Sequence, residues 1–253
     1  MMEAEQMDLV LDVGNSRMKM ALFAQGRMVA HAQAAAGDQA AMARFVEGRN
    51  LVRTVIGSVG SRDQRLLEAL QRLAPVRELT GASPSPVRSL YTTPSTFGVD
   101  RLANVVGAAA LYPRRPVLAI DLGSCITYDL VDQLALHHGG IISPGLHMRA
   151  RAMHAFSARL PLVEPPDQPP VLGASTHASL ASGIIHGAAM EVKGFAAELA
   201  RQHPGLAVVV TGGDALRAAW ALKSGIFVHP TLTLIGLHAL SQYDPALGPA
   251  APR

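Results

Sequence analysis

The sequence predicts a mixed α/β protein made of two similarly built domains, and three observations carry that expectation. The first is a short segment used twice. Leu9-Val10-Leu11-Asp12-Val13-Gly14-Asn15-Ser16 runs three apolar residues into an aspartate, then a glycine and polar groups. Leu118-Ala119-Ile120-Asp121-Leu122-Gly123-Ser124-Cys125 is a near copy. Each continues into a second apolar segment, Met18 to Phe23 and Ile126 to Val131, so the unit reads strand, Asp-x-Gly-polar turn, strand. The second observation is that a third strand and then alternating helix and strand patterns follow each pair, the order of a mixed α/β domain. The third is Pro113-Arg114-Arg115-Pro116, a break between the halves that sets the expected domains at 1–113 and 114–253. Two such domains are expected to face a cleft.

The remaining elements follow in order. Arg27 to Gln33 reads as the third strand, and Asp38 to Glu47 as an Ala-rich helix. Leu51 to Val59, rich in Val and Ile, is a strand. Asp63 to Leu73 has leucines at 66, 67, 70 and 73, which is helical spacing. Val76 to Leu79 is a short strand. Gly81 to Pro86 is loop, and Tyr91 to Gly98 is irregular because it mixes Thr, Pro, Ser and Gly. Asp100 to Tyr112 is a helix with an acidic start. In the second half, strands are expected at Val117 to Leu122, Ile126 to Val131 and Leu134 to Ile142. Gly145 to Ser157 is a helix, Pro161 to Pro170 a connector, and Ser175 to His203 a long helix open to a break at Gly183, Gly187 or Gly194, with Ser175 as cap. Leu206 to Thr211 is a strand, Asp214 to Leu222 a helix, Ile226 to His229 a short strand and Thr231 to Tyr243 a closing helix. The tail Asp244 to Arg253 is expected to lack regular structure.

Composition bounds the function. The chain has 253 residues, 49% hydrophobic and 16% charged, which is enough for a sizeable core. The net charge of +3 comes mostly from scattered arginines, with lysine only at 19, 193 and 223, so no nucleic-acid footprint is formed. Cys125 is the single cysteine, which excludes an intramolecular disulfide and a cysteine metal cluster. It reads as a small buried residue rather than a nucleophile. Met1-Met2-Glu3-Ala4-Glu5-Gln6 lacks the basic start and apolar run of a signal peptide, and no apolar stretch is long enough for a membrane span. A cytoplasmic location without a membrane partner is therefore expected.

Four places carry residues suited to chemistry. In the two Asp-x-Gly-polar turns, glycine lets backbone approach an anion and its neighbours offer N–H and hydroxyl donors to phosphate oxygens. An aspartate there repels phosphate, so its natural partner is a cation. Mg2+, held by one or two carboxylates with water and phosphates in its other positions, suits the aspartate of either turn. Either turn alone also reads as an ordinary hairpin. Val208-Val209-Val210-Thr211-Gly212-Gly213-Asp214 runs a buried strand into two glycines, where a flat ring or sugar can lie on bare backbone. The same run also reads as a strand-to-helix turn needing small residues. In Tyr91 to Arg101, Asp100 beside Arg101 reads either as a helix-start carboxylate with a surface ion pair or as a general base with an anion clamp. Spacing alone favours the former. His137-His138 lacks a partner at ligand spacing and reads as loop or strand edge rather than a metal site.

Taken together, these motifs resemble the type III pantothenate kinase family, which includes the Bvg accessory factors and lies within the acetate kinase, sugar kinase, Hsp70 and actin superfamily. The matching segments, in order, are Asp12-Val13-Gly14-Asn15-Ser16, Tyr91-x-x-Pro94-x-x-x-Gly98-x-Asp100-Arg101, Asp121-Leu122-Gly123-Ser124-Cys125-Ile126-Thr127, Gly139-Gly140-x-Ile142-x-Pro144-Gly145, Leu160-Pro161, Gly173-x-Ser175-Thr176 and Thr211-Gly212-Gly213. The departures are small: Ser124 keeps a hydroxyl where threonine is usual, Cys125 replaces alanine, and Arg17-Met18-Lys19 is bulkier and more basic.

The resemblance implies two ribonuclease H-like domains of the actin-like ATPase kind around a nucleotide cleft. The first would hold a phosphate turn and the pantothenate loop, the second the other phosphate turn and an adenosine motif. It implies ATP at Asp12, Val13, Gly14, Asn15, Ser16, Arg17, Met18, Lys19 and Ser124, with Gly212 and Gly213 on the adenosine side. Lys19 reads either as a phosphate ligand or as a solvent-facing side chain. Pantothenate would meet Tyr91, Gly98, Val99, Asp100, Arg101 and Thr176, with Asp100 as the base. Asp12 would hold the divalent metal, through water, and Asp121 a monovalent cation, K+ or NH4+, and the protein would be a homodimer. The implied activity is ATP-dependent phosphorylation of pantothenate, the first step toward coenzyme A. The competing readings are a regulatory family member without kinase activity and a superfamily kinase for another alcohol.

Overall fold

The computed structural model describes residues 5–58, 63–217 and 226–247. The chain divides into two compact units, Met1–Leu111 with Thr231–Arg253, and Tyr112–Pro230.

In the first unit, β1 (Gln6–Val13), β2 (Arg17–Ala24) and β3 (Arg27–Ala35) form an antiparallel meander. α1 (Gln39–Val46) leads to β4 (Asn50–Ser58), and α2 (Gln64–Gln71) to β5 (Val76–Leu79). β4 lies parallel to β1, and β5 parallel to β4, giving the order β3-β2-β1-β4-β5. β3 alternates exposed and half-buried residues, as an edge strand should, whereas the apolar centre of β1 is buried on both faces. Both short helices start where the sequence supplies a carboxylate cap: Asp38 accepts from Ala41 N–H at 2.9 Å and Asp63 from Leu66 N–H at 3.1 Å. They cover one sheet face, where Leu9, Leu11, Met18, Met20 and Leu22 meet Met42, Val46, Leu66, Leu67 and Leu70.

The opposite face is covered by α3 (Val99–Leu111) and the C-terminal helix. A two-residue strand, β6 (Arg88–Ser89), and a single 3-10 turn at Pro94–Thr96 lie in the irregular segment before α3.

The second unit repeats the meander as β7 (Val117–Leu122), β8 (Cys125–Val131) and β9 (Leu136–Pro144), followed by α4 (Leu146–Ala155) and α5 (Thr176–Gln202). β10 (Ala207–Thr211) lies parallel to β7, and β11 (Ile226–Val228) parallel to β10, so the strands run β11-β10-β7-β8-β9. α5 is one unbroken helix of 27 residues. A Cβ at Gly183, Gly187 or Gly194 would meet open space, so these glycines neither interrupt it nor permit a close approach. Residues 215–217 are helical, and the rest of the expected helix to Leu222 lies outside the described residues, as does Val59 at the end of the fourth expected strand. Of the tail, Pro245–Leu247 forms a 3-10 turn instead of lacking structure, and residues 248–253 are outside the description. No helix among the described residues is long and apolar enough to cross a membrane.

One expectation is corrected. Residues 114–253 were expected to form the second domain, but α6 (Leu232–Gln242) belongs to the first unit. The reason is a close helix crossing. A Cβ on Gly236 would stand 1.7 Å from the Ala103 carbonyl oxygen, and one on Gly107 would stand 2.8 Å from that of Leu232. Two glycines facing small neighbours let α3 and α6 approach at backbone distance. The buried Thr233 hydroxyl donates to Asn104 Oδ1 at 2.9 Å within the same crossing. Gly57 serves the same layer, since a Cβ there would meet Leu237 at 2.8 Å.

Gly236→Ala therefore reverses the usual helix preference for alanine. The substitution is expected to destabilise the protein by about 1–3 kcal/mol, measured as a lower urea midpoint with unchanged slope.

Candidate active site

In the first turn, Gly14 N–H donates to the Arg17 carbonyl at 2.9 Å and closes the hairpin. Ala36 N–H donates to the Ser16 carbonyl at 3.2 Å, which ties the turn to the end of β3. Asn15, Ser16 and Arg17 are exposed, with Asp12, Val13 and Gly14 half-buried beneath them. Met18 is fully buried in the apolar cluster, so its side chain is withdrawn from any ligand. Lys19 is half-buried and in register with Asp12, so the two side chains share one sheet face. Asp12 is also in register with Gly57, and Val13 with Ser58. The turn thus lies at the carboxyl ends of parallel strands, where open α/β sheets bind ligands.

The second turn gathers motifs that are far apart in sequence. β7 and β10 run parallel with Asp121 beside Thr211, and Asp214 N–H donates to the Leu122 carbonyl at 3.0 Å. Gly212 has φ +102°, open to glycine and strained for other residues. A Cβ on it would stand 2.5 Å from Asp121 Oδ1, and a Cβ on Gly123 would stand 3.2 Å from the same oxygen. The Asp121 carboxylate therefore occupies a cradle that two side chains would fill. Gly145 N–H donates to the Ser124 carbonyl at 3.2 Å, and its own missing side chain lets it press on that turn. Ser124 is exposed, Asp121 half-buried and Gly213 exposed. A carboxylate with hydroxyls nearby is a hard oxygen donor set and fits a cation of the Mg2+ or alkali type. Asp12, with the exposed amide and hydroxyl of Asn15 and Ser16 in the same turn, fits the hydrated divalent ion by the same chemistry.

The third segment is built on α3. Asp100 is half-buried in the first turn of the helix, where a carboxylate is favoured by the helix dipole, and its Oδ1 accepts from Arg101 N–H at 2.9 Å. Arg101 is not a surface residue: it is 5% exposed. Its guanidinium carbon lies 4.8 Å from the Phe97 ring centroid and 5.2 Å from that of Tyr91, and Nη1 donates to the Tyr91 hydroxyl at 3.4 Å. Two aromatic faces thus fix a buried cation next to Asp100. Gly98 is required as well, since a Cβ there would stand 2.4 Å from Asp100 Oδ1. The surface ion-pair reading of this pair fails because the arginine is enclosed.

Thr176 belongs to the second unit and is exposed at the start of α5. Ser175 caps that helix, accepting from Ala178 N–H at 3.2 Å. A Cβ on Gly173 would stand 2.2 Å from Ser179 N, so the preceding loop lies directly on the helix start. The helix is anchored to the sheet by Glu191, a group that the motifs give no reason to single out. Glu191 accepts from Tyr128 Oη at 2.7 Å, Ser143 Oγ at 3.0 Å and Arg149 Nη2 at 2.6 Å. Burial pushes the Glu191 carboxyl up, but donation from Arg149, Tyr128 and Ser143 outweighs it and holds the group below the ordinary range. Burial, then the bond to Glu191, pushes the Tyr128 phenol far up.

The histidine pair lies in the first residues of β9, the outermost strand of the order given above, and the structure adds a partner: His137 is buried, Nε2 lying 2.9 Å from Asp129 Oδ1. A β-bulge at Leu130/Val131 and the positive φ of Gly139 accompany this arrangement. His138 pairs with Asp132 at 2.9 Å. Among the described residues no three potential metal ligands cluster.

Two units of this build, each a three-stranded meander extended by parallel strands, define the actin-like ATPase and sugar-kinase class of fold. The structure resembles a conserved Baf family protein from Campylobacter jejuni, with TM-score 0.62, 19% identity and coverage of 94% of this chain and 99% of that one. It also resembles the activator of 2-hydroxyisocaproyl-CoA dehydratase from Clostridium difficile, crystallised with bound ADPNP, with TM-score 0.55, 14% identity and coverage of 93% and 95%. A family model described as type III pantothenate kinase matches residues 8–198. A type III pantothenate kinase from Phocaeicola vulgatus is 38% identical over 242 residues, which are 95% of this chain and 100% of the relative. The chain belongs to the type III pantothenate kinase family.

The Glu191 network makes a pH prediction. Its carboxylate is favoured in the folded state, so the stability it contributes is present above the unfolded value of about 4.3 and is lost as pH falls through the lower folded value. Glu191→Gln is expected to flatten the acid limb of the stability–pH profile, as read by urea midpoints across that range.

Proposed function

We propose that the chain transfers the γ-phosphoryl group of ATP to the hydroxyl of pantothenate, giving 4′-phosphopantothenate and ADP, the first step of coenzyme A synthesis. The observation that carries this reading is the family match over residues 8–198, a span that contains Asp12, Asp100 and Asp121.

Asp100 is the general base. Its carboxylate takes the proton of the acceptor hydroxyl as that oxygen attacks the γ-phosphorus, and the bond to the β-phosphate oxygen breaks to release ADP. Arg101, held against Tyr91 and Phe97, supplies fixed positive charge beside the base and meets the carboxylate of pantothenate. Tyr91, Gly98, Val99 and Thr176 complete the acceptor contacts. The first turn, from Asp12 to Lys19 and with Met18 contributing backbone only, and Ser124 of the second meet the ATP phosphates. Gly212 and Gly213 present bare backbone to the adenosine. Asp12 would hold Mg2+ through water, an ion that would offset phosphate charge, and Asp121 would hold K+ or NH4+. The protein works in the cytoplasm as a homodimer.

This division of labour is supported by what each place offers. The turns supply donors and small residues suited to phosphate, and α3 supplies a carboxylate beside an enclosed cation. Phosphoryl transfer depends on positioning and charge neutralisation more than on covalent chemistry, so such an arrangement is sufficient in kind.

The test is a pantothenate phosphorylation assay with ATP, Mg2+ and K+. Asp100→Asn is expected to lower kcat by about 10²–10⁴-fold with little change in melting temperature. A wild-type protein inactive under these conditions would overturn the activity. A fully active Asp100→Asn would move the base to another residue.

A further inference from the structure

Thr211 ends β10 with a fully buried side chain whose hydroxyl has no hydrogen-bond partner among the described residues. An unpaired buried hydroxyl is unfavourable, so its presence calls for a ligand or a reason of packing. The buried hydroxyl of Thr54 in β4 is unpaired too. Its register neighbours are Leu9 and Val76, and nothing polar lies beside it in the sheet. Thr211 differs in its neighbours. It is in parallel register with Asp121, and Asp121 is in antiparallel register with Thr127. Residues in register on adjacent strands share a face. The apolar cluster formed by Ile120, Leu122, Ile126 and Val210 occupies the other face. Thr211, Asp121 and Thr127 therefore make one row across three strands: hydroxyl, carboxylate, hydroxyl.

We propose that Thr211 is a ligand for the monovalent cation at Asp121, its hydroxyl oxygen standing beside the carboxylate, with Thr127 flanking the other side. The inference rests on the assignment of Asp121 to that cation made above. The row offers one carboxylate and two neutral hydroxyls, the hard oxygen donors that an alkali-type cation takes. Gly123 and Gly212 leave the carboxylate reachable where side chains would cover it. A hydroxyl oxygen directed at a cation has a use that no acceptor among the described residues provides, and this accounts for an unpaired buried threonine at the end of β10.

Cation binding can be read without turnover. Thermal unfolding of the full chain is followed while KCl replaces choline chloride at constant ionic strength, with and without MgATP. The wild type is expected to melt higher as K+ rises. Thr211→Val is expected to melt higher than wild type without K+, because the unpaired hydroxyl is gone, and to need about tenfold more K+ for its half-maximal shift. Thr211→Ser is expected to respond within about threefold of wild type, since it keeps the oxygen. Should Thr211→Val fail to fold, Thr211→Ala carries the same comparison. A K+ midpoint unchanged in the variant lacking the oxygen overturns the role of Thr211 alone. A wild type that ignores K+ in both conditions overturns the cation assignment and the proposal with it. Either result leaves the Asp100 assay to decide kinase activity separately.

Discussion

The Asp121 carboxylate can lie where it does because residues 123 and 212 have no side chain. One glycine follows it in its own turn, and the other comes from a strand about ninety residues later, brought alongside by the parallel pairing of β7 and β10. That pairing depends on the buried apolar runs of both strands, and those depend on α5 covering one face of the sheet. The site is therefore a consequence of the sheet. The buried core of the second unit therefore holds Gly212 beside Asp121 as well as holding the sheet together.

The first unit solves a different problem with the same strand order. Its second helical layer is built from α3 and α6, which meet backbone to backbone through Gly107 and Gly236. α3 carries Asp100 and the enclosed Arg101 at its start. A helix that must hold a carboxylate and a guanidinium in fixed positions needs a rigid seat, and a glycine crossing with a buried Thr233–Asn104 hydrogen bond supplies one. Tyr91 and Phe97 hold the guanidinium from the other side. The proposed acceptor chemistry and the packing of the C-terminal helix are linked through this one element.

Much of the architecture was legible in the sequence. Every strand of both meanders was expected within a few residues of where it occurs, because buried β-branched and leucine runs ending in Asp-x-Gly turns have few other uses. Ser175 was readable as a cap, because a short polar side chain ahead of an apolar period satisfies helix N–H groups, and the helices expected from Asp38 and Asp63 turn out to be capped by those same residues. The resemblance to the type III pantothenate kinases was also local, carried by short motifs in order, and the family match agrees with it.

What the sequence by itself determined is the set of elements that local forces decide: strand, turn and helix starts, and the residue types placed in each turn. What only the tertiary structure decided is which of them meet. Nothing local assigns residues 231–253 to the first unit; the close approach of two glycine faces does. Nothing local distinguishes Arg101 from a surface arginine, since its burial comes from the rings of residues 91 and 97. Nothing local pairs His137 with Asp129, and nothing local gathers three donors on Glu191; both depend on contacts between separate segments. The Asp-x-Gly turns and the Gly-Gly turn were recognised separately, and the register of β10 against β7 made two of them one site. Register and burial are properties of pairs of segments distant in sequence, and residue-by-residue propensities do not contain them.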